Sequence, residues 1–390
     1  MKIANRMQNL SPSVTMAITA LARELKAQGK DILSFSAGEP DFNTPDVIKQ
    51  AAIKAIEDGH TKYTAVEGIP QTKQAIIDKL KRDHDLDYNL DNVVVSNGAK
   101  HSLFNLFQLL IESGDEVIIP APYWVTYPEQ VKFSEGVPVF IQTDDTTGFK
   151  VTANQIKKAI TSKTKILILN SPSNPTGAVY SRQELEDIGK VLEGTDILVL
   201  SDEMYEKIMY DDLKFTATAQ VSEDMFQRTI TINGISKSVA MTGWRFGYMA
   251  TPKKEIVKAM IKLQGQVTSN VNSITQYAAI AALKGDADSD IEMMRKEFEK
   301  RRDVAIKDFN AIEGISCIEP HGAFYLFVNI KEITNDSMKF CEELLANKGV
   351  AVVPGLAFGT EGYFRFSFAT DLETIQDGIR RIKEFVEEKR

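Results

Sequence analysis

Between about residues 46 and 284, short apolar runs alternate with longer segments whose apolar residues recur at helical spacing. The short runs are rich in valine, isoleucine and leucine, and they fall at residues 93–95, 117–119, 137–141, 166–169, 197–200 and 230–232. Buried strands have this length and composition, and strands that are separated by helices form parallel sheets. The pattern therefore predicts an α/β fold whose large domain is a mostly parallel sheet with helices on its faces.

The rhythm changes on both sides of this region. Residues 1–45 have the pattern of an arm, with one apolar helical face at 13–26 and a short strand interrupted by turn residues at 32–41. Further along lie a charged helix at 288–309, a strand at 323–328, a helix at 338–346, a strand at 363–369 and a helix at 372–387. We therefore predict a large domain at 46–284 and a smaller α+β domain, formed by 285–390 together with the arm.

Composition and charge narrow the class of protein. A chain of 390 residues with 43% hydrophobic and 26% charged residues has the length and composition of a two-domain globular protein. Its net charge of -8 disfavours nucleic acid and anionic membrane as partners. Cys317 and Cys341 form no framework, the first ten residues lack a signal-peptide core, and no apolar stretch is long enough for a membrane span. We expect a cytoplasmic protein with buried thiols and, since its four histidines share no ligand spacing, no metal site.

Lys237 has an unusual position for a surface charge. It follows the apolar run at 230–232 among small residues, and Arg245 follows it between Gly243 and Gly247. Burying an ammonium group is costly, so a lysine in such a place tends to lose its proton, and the neutral amine is a nucleophile. An arginine between glycines suits a phosphate or a carboxylate. On these residues alone, a surface lysine with a structural arginine is an equally good interpretation.

Two other strand ends carry residues that suit a ligand. The small-residue turn at 96–100 opens a helix, and the backbone amides of Gly98 and Ala99 would then form an anion site, although ordinary helix starts look the same. Beyond the run at 117–119, Trp124 follows two prolines and could stack on a flat ring. A core tryptophan is the alternative interpretation.

Polar side chains also follow the next two strands. Asn174 lies in the loop 170–177, where two X-Pro bonds indicate a rigid turn that presents its amide to a ligand or simply precedes the helix starting near Ser181. Asp202 comes at the end of a strand and could hold a protonated ring nitrogen, or it could cap a helix. Tyr205 could hold an oxygen next to that nitrogen.

Taken together, these loops supply the groups that pyridoxal phosphate requires. The cofactor needs a lysine for its aldehyde, a carboxylate for its pyridine nitrogen, an anion site for its phosphate and a ring-stacking partner. A nucleotide is a weaker interpretation, because no G-x-G-x-x-G follows the first strand and no P-loop pattern occurs.

Four motifs give the chain a family resemblance. They are S-K-x-x-x-M-T-G-W-R-x-G at 236–247, N-x-P-x-N-P-T-G at 170–177, S-D-E-x-Y at 201–205 and P-Y-W at 122–124. Nearly end to end, the chain resembles the class I pyridoxal-phosphate-dependent aminotransferases of fold type I, and it is most similar to the bacterial aspartate aminotransferase branch. The resemblance implies an aspartate aminotransferase-like fold. It also implies ping-pong transfer of an amino group between L-aspartate and 2-oxoglutarate, with amino acids and 2-oxo acids as substrates.

The resemblance further implies roles for the cofactor residues. Lys237 would bind the cofactor aldehyde and later move the substrate α-proton, while Asp202 would pair with the pyridine nitrogen. Tyr205 and Asn174 would donate hydrogen bonds to the phenolic oxygen of the ring, and Trp124 would stack on the ring. The phosphate would be held by Gly98, Ala99, Ser236 and Arg245.

The resemblance implies substrate and subunit contacts as well. The backbone of Gly38 and the side chain of Arg365 would hold the α-carboxylate, and Lys100 of the Gly-Ala-Lys turn would hold the distal carboxylate. The substrate-binding set is Gly38, Lys100, Trp124, Asn174 and Arg365. Tyr63 would reach the phosphate in the neighbouring subunit and take part in catalysis there, which makes the active unit a homodimer with shared sites.

Two departures from the family pattern affect these expectations. Many relatives have a serine three residues before the lysine, where this chain has Gly234, so that phosphate contact is missing or is made by Ser236. Members that also accept prephenate have a basic residue near the N-terminus, whereas residues 10–15 keep Thr15 and contain no basic residue. The alternatives are an aromatic or prephenate aminotransferase, a pyridoxal-phosphate C–S lyase, and a regulator that keeps the fold without catalysis.

Overall fold

The computed structural model of the protein describes residues 3–389. Its α-helices are α1 Val14–Ala27, α2 Asp46–Glu57, α3 Pro70–His84, α4 Ala99–Leu110, α5 Thr126–Phe133, α6 Ala153–Ala159, α7 Arg182–Leu192, α8 Glu223–Arg228, α9 Lys254–Val267, α10 Ser273–Lys284, α11 Asp288–Asn310, α12 Ser337–Lys348 and α13 Leu372–Lys389. Its strands are β1 Leu33–Ser34, β2 Val93–Ser96, β3 Glu116–Ala121, β4 Val137–Gln142, β5 Thr164–Asn170, β6 Leu198–Asp202, β7 Thr229–Gly234, β8 Gly247–Ala250, β9 Tyr325–Asn329, β10 Val350–Ala351, β11 Val353–Pro354 and β12 Tyr363–Ser367.

Seven strands form the central sheet in the order β2-β8-β7-β6-β5-β3-β4. The pairs from β4 through β7 are all parallel, and β8 is antiparallel to both β7 and β2. All six predicted apolar runs contribute strands to this sheet, so the predicted α/β fold class is confirmed. The sequence pattern missed β8, because it begins with Gly247 and has none of the β-branched residues that mark the other strands.

The apolar runs are continuous because both faces of the sheet are covered. Val93 and Val95 of β2 pack in a cluster with α2, α3 and α10, whereas Val94 between them packs with α4 and α9. Successive side chains of a strand point to opposite faces, so β2, which is buried on both faces, has valines on both. Full burial of each such side chain contributes roughly 1.5–3 kcal/mol, which makes this sheet a rigid platform for the loops at its edge.

A second, smaller α+β unit contains the antiparallel sheet β11-β12-β9. The arm joins this unit, since β1 pairs in parallel with β10 and Phe35 stacks on Phe366 with ring centroids 4.1 Å apart. The predicted helices and strands of this part are present, and two short strands, β10 and β11, add to them. We propose that the domain boundaries lie at residues 45/46 and 284/285, as expected from the sequence.

Local signals set the helix ends that matter for the site. Helix α7 begins with a capping box, in which the Ser181 backbone N–H donates to Glu184 at 2.7 Å while the Ser181 hydroxyl accepts from the Glu184 amide. The predicted start of this helix is therefore confirmed. Helix α4 begins without a side-chain cap at Gly98, so its first amides are left for another partner.

The expectations about the cysteines and about membrane spans can be compared with the structure of residues 3–389. Cys317 and Cys341 are both free and buried, as the sequence predicts. Over residues 3–389, no helix combines the length and the apolar composition that crossing a membrane requires.

Candidate active site

A cavity of about 310 Å³ lies where the loops after the sheet strands face β12 and the arm. Most of the residues expected from the sequence line it, namely Gly38, Ala99, Lys100, Trp124, Asn174, Asp202, Tyr205, Ser236, Lys237, Arg245 and Arg365. Gly98 precedes Ala99 at the start of α4. Tyr63 lies outside the cavity of its own chain, and its side chain is 90% exposed.

Lys237 follows β7, and its amine lies inside the cavity. The Nζ atom donates a hydrogen bond to the Gly38 carbonyl oxygen at 2.5 Å. Burial lowers the pKa of Lys237 to about 8, against an opposing effect of Glu39 and with help from Arg365 and Arg245. A large share of this amine is therefore neutral near pH 8, so it can act as a nucleophile or as a base.

Asp202 ends β6 as a buried carboxylate. Its Oδ2 atom accepts a hydrogen bond from the Tyr127 hydroxyl at 2.7 Å, and its Oδ1 atom accepts a long one from the Met204 amide at 3.4 Å. Burial raises the pKa of Asp202 to about 6, although both hydrogen bonds act in the opposite direction. The next α-helix begins only at Glu223, so Asp202 is not a helix cap. A carboxylate in such a place suits a cationic N–H group.

An anion site forms where α4, β8 and Arg245 converge. Gly98 has a φ of 83°, and a Cβ added there would lie 2.5 Å from Nη2 of Arg245. A Cβ at Gly247 would collide with the amide nitrogen of Ala99. The two glycines thus let a guanidinium group and the positive end of a helix approach one another, which is the arrangement that binds phosphate.

Packing explains the Gly234 departure from the family pattern. A Cβ at Gly234 would lie 2.8 Å from the Phe246 carbonyl oxygen and 3.0 Å from the Met204 methyl carbon. A serine at this position would therefore need the neighbouring backbone to shift. Ser236 is buried and lines the cavity, so it is the serine of this loop that faces the cavity.

Arg365 forms a second cationic group, on β12, and is only 2% exposed. Its Nη1 atom donates to Asn174 Oδ1 at 2.9 Å and its Nη2 atom donates to the Ser36 carbonyl at 2.6 Å, whereas Nε has no partner among the described residues. The rings of Tyr325 and Phe358 flank the guanidinium at 4.5 and 5.1 Å. Burying a guanidinium without a carboxylate is costly, so the geometry favours an anionic ligand at this position.

Lys100 lies in the first turn of α4. Its Nζ atom lies 4.8 Å from the ring centroid of Trp124, and both residues line the cavity. Partial burial and the nearby charge of Arg245 lower the pKa of Lys100. No ion pair joins Lys100 to a carboxylate in the part of the chain that the structure describes. Its charge is therefore open to a ligand.

Two tyrosine hydroxyls meet on the β12 side of the cavity. The hydroxyls of Tyr205 and Tyr325 lie 2.8 Å apart, and both side chains are buried. The Tyr325 hydroxyl also lies against Gly38, where an added Cβ would come within 2.8 Å of it. Sequence reasoning found Tyr205 and Gly38 but missed Tyr325, which lies in an apolar strand with no local polar signal.

Two more lining residues, Asn170 and Tyr127, were given no role from the sequence, although the first lies in a motif and the second lies close to one. Asn170 donates to the Asp202 carbonyl at 3.0 Å and accepts from the Asn174 amide at 2.8 Å, so it fixes both neighbouring loops. It is the first residue of the N-x-P-x-N-P-T-G motif, and Tyr127 lies three residues beyond Trp124. Their position in or close to a motif is the signal by which they could have been identified.

The donor set fits pyridoxal phosphate. The cavity contains a lysine of depressed pKa, a buried carboxylate, a half-buried tryptophan and a phosphate-type anion site around Gly98. The unpaired guanidinium of Arg365 provides a second anion site for a substrate carboxylate. These five features correspond to the aldehyde, pyridine nitrogen, ring and phosphate of the cofactor and to an amino-acid substrate.

One cluster outside the cavity has the composition of a metal site. Ligand atoms of Asp83, His84 and Glu206 lie within 4.8 Å of one another. Lys207 pairs with Asp83 at 2.8 Å, and Lys79 pairs with Glu206. Because lysines already balance both carboxylates, a divalent cation would have to displace buried ion pairs. The absence of a metal site therefore stays a prediction from the sequence.

Comparisons with known proteins match nearly the whole chain. The family model described as aminotransferase class I and II matches residues 30–382. An aspartate aminotransferase of Bacillus sp. strain YM-2 is 49% identical over 98% of this chain and 99% of its own length. A probable aspartate/prephenate aminotransferase of Rickettsia felis is 48% identical over 98% of this chain and 95% of its own length. Aspartate aminotransferase from Thermus thermophilus with maleate superposes with a TM-score of 0.95 at 39% identity, over 98% of this chain and 99% of the other.

Proposed function

The chain belongs to the class I and II aminotransferases, and on that premise we propose that it moves an amino group between L-aspartate and 2-oxoglutarate, giving oxaloacetate and L-glutamate. The observation that carries this proposal is that two basic side chains of the cavity besides Lys237 and the phosphate-site Arg245, namely Arg365 and Lys100, form no ion pair within residues 3–389. A dicarboxylic amino acid has two carboxylates to place against them. Relatives named aspartate aminotransferase share 47–49% of their residues with this chain.

The enzyme depends on pyridoxal phosphate, as its family does. We propose that Gly98, Ala99, Ser236 and Arg245 hold the phosphate, that Trp124 stacks on the ring, that Asp202 pairs with the ring nitrogen and that Asn174 and Tyr205 face the phenolic oxygen. When bound, this cofactor supplies an aldehyde for covalent attachment and a ring that withdraws electrons from the substrate carbon.

The protein residues do the positioning and the proton transfer. Arg365 holds the α-carboxylate in its fork, aided by the Gly38 backbone, and thereby fixes which face of the substrate points at Lys237. The Lys237 amine, with a pKa near 8, takes the α-proton and later returns it at another atom. The Gly38 carbonyl, 2.5 Å from Nζ, then accepts a hydrogen bond from the protonated amine. Tyr63 of a neighbouring subunit completes the phosphate site.

Replacing Lys100 with alanine tests the substrate preference. A charge-assisted hydrogen bond contributes about 1.5–3 kcal/mol, so kcat/KM for aspartate should fall roughly tenfold to a hundredfold. The value for alanine should change less than twofold, because alanine has no second carboxylate. Steady-state kinetics with aspartate, alanine, phenylalanine, tyrosine and prephenate would measure the shift. Lys132→Ala, which removes a lysine already paired with Glu129, is the matched control. An unchanged preference in Lys100→Ala, or a wild type that does not favour aspartate, would contradict the proposal.

Two other reactions of this fold are separated by the products. A C–S lyase would form pyruvate and ammonia from a sulfur amino acid without a 2-oxo acid acceptor, whereas a transaminase needs the acceptor for turnover. Prephenate use is suggested only by relatives with that activity in their names. The arm contributes Ser13, Thr15 and Met16 to the cavity, all of them uncharged. We therefore place prephenate second to aspartate as a substrate.

We also propose that the active unit is a homodimer with shared sites. The support is Tyr63, which is 90% exposed on its own chain and lies outside that chain's cavity. Mixing Tyr63→Ala subunits with Lys237→Ala subunits should restore about a quarter of the wild-type activity, because half of the dimers are then mixed and each contains one intact site of two. Mixing Asp202→Asn with Lys237→Ala should restore nothing, since both residues belong to one cavity. If neither mixture recovered activity, the proposal of shared sites would be contradicted. The cytoplasmic location stays a prediction.

A further inference from the structure

The Asp202 carboxylate has one buried side-chain donor, and it comes from the first turn of helix α5. The Tyr127 hydroxyl donates to Oδ2 at 2.7 Å, although the two residues are 75 positions apart in the sequence. Tyr127 is only 1% exposed, so solvent cannot replace it. The Trp124 carbonyl oxygen accepts a hydrogen bond from the Tyr127 amide at 3.1 Å, which places the ring-stacking residue and this hydroxyl in one turn.

The direction of the hydrogen bond is fixed. Burial, with the adjacent Asp202 charge, raises the pKa of Tyr127 well above its ordinary value. The hydroxyl therefore keeps its proton and donates a hydrogen bond to the carboxylate. The other carboxylate contact, from the Met204 amide to Oδ1, is long at 3.4 Å. Oδ2 is thus occupied, while Oδ1 keeps acceptor capacity towards the cavity.

We propose that Tyr127 is a positioning residue that holds the Asp202 carboxylate in the orientation and the ionised state needed to pair with the cofactor ring nitrogen. This inference rests on the proposed pyridoxal-phosphate site, and it adds to that site a residue that does not itself contact the cofactor. A phenol that donates to a carboxylate stabilises its charged form, and here it does so against the cost of burial.

The pH dependence that follows has a definite sign. Burial raises the pKa of Asp202 to about 6, and the hydrogen bond from Tyr127 is the largest of the effects that lower it. The other ionisable groups that interact with Asp202 are Lys237 after β7 and Tyr205 in the turn after β6. Removing the hydroxyl removes the largest effect that lowers the pKa of Asp202, so this pKa rises further. At acidic pH a larger fraction of Asp202 is then protonated in Tyr127→Phe than in the wild type, and the variant binds the cofactor more weakly. As the pH rises above the Asp202 pKa of both proteins, this difference in affinity disappears.

Tyr127→Phe tests this inference in the reconstituted enzyme. We expect the dissociation constant for pyridoxal phosphate to rise roughly tenfold at about pH 5.5, the factor that corresponds to one pKa unit, and to change much less at about pH 9. Tyr180→Phe is the matched control, because it also removes a buried hydroxyl, one that accepts from the Val151 amide at 3.0 Å outside the cavity. Its dissociation constant should stay within about twofold of the wild type at both pH values.

Two further measurements separate this role from a purely structural one. In a Lys237→Ala background, where the lysine cannot titrate, the pH-dependent difference should persist. In an Asp202→Asn background, where the carboxylate is absent, Tyr127→Phe should add no pH-dependent loss. A loss equal at both pH values, or one that persists with Asp202→Asn, overturns the inference while leaving the cofactor site intact. A wild type that binds no pyridoxal phosphate overturns the proposed function, and this inference with it.

Discussion

Lys237→Ala is expected to lower kcat for the aspartate and 2-oxoglutarate reaction about ten-thousand-fold or more. In the proposed mechanism one side chain supplies both the covalent attachment for the cofactor and the base for the α-proton, and a positioned acid–base group alone contributes about 10²–10⁴-fold. Burial makes this amine suitable as a base near neutral pH, because it lowers the pKa of Lys237 to about 8. Stopped-flow absorbance with aspartate would measure the single-turnover rate without interference from product release.

The control for this variant is chemical rescue. A small primary amine that diffuses into the cavity replaces the base but not the tether, so the rate should rise with amine concentration and with the fraction of neutral amine. Lys237→Arg keeps a positive charge but, because a guanidinium stays protonated, should be as slow as Lys237→Ala and should respond less to added amine. A residual activity within about a hundredfold of the wild type in Lys237→Ala would contradict the assigned role.

The fold was predictable because most strands of the central sheet are buried on both faces; the exception is the edge strand β4, where Val137 and Phe140 are exposed. A strand such as β6 then appears as an apolar run that ends in Ser201 and Asp202 at the edge of the sheet. That regularity placed six strands and the loops after them. β8 was missed because it begins with Gly247 and contains no β-branched residue, and it brings Gly247 against the start of α4, a contact that no local pattern encodes.

The site was predictable where its residues lie in motifs and unpredictable where they meet through space. Asp202 belongs to a strand-end motif, but its hydrogen-bond donor, Tyr127, is distant in sequence, and the pairing exists only once β3 and β6 lie in one sheet. Tyr325 could not be predicted for the same reason, since it belongs to a buried strand of the smaller unit and reaches the site only in the folded protein. Arg365 between phenylalanines was recognised by resemblance alone; burial without a carboxylate partner is a property that only the structure shows.

Arg365→Met is expected to lower kcat/KM about a thousandfold for every amino donor alike. Removing one partner of a buried, hydrogen-bonded charge pair costs about 2–5 kcal/mol, and in the proposed mechanism the other partner is the α-carboxylate that all amino acids share. Lys100→Ala should affect aspartate selectively, so the two variants test separately how the enzyme binds each of the two carboxylates of aspartate. Kinetics with aspartate and alanine would measure both effects.

The same substitution should leave the unfolding free energy of the cofactor-free protein within about 1 kcal/mol of the wild type, because burying the Arg365 guanidinium without a counter-ion already destabilises the fold. Arg302→Met is the matched control: this arginine is equally buried, but it pairs with Asp211 at 2.7 Å far from the cavity. It should lose stability in a denaturant titration and keep its kcat/KM. If Arg365→Met lost stability as Arg302→Met does while keeping its activity, Arg365 would be a structural ion-pair residue whose partner lies outside the described contacts. The opposite losses in the two variants would establish that Arg365 is kept unpaired in the fold so that the substrate can pair with it.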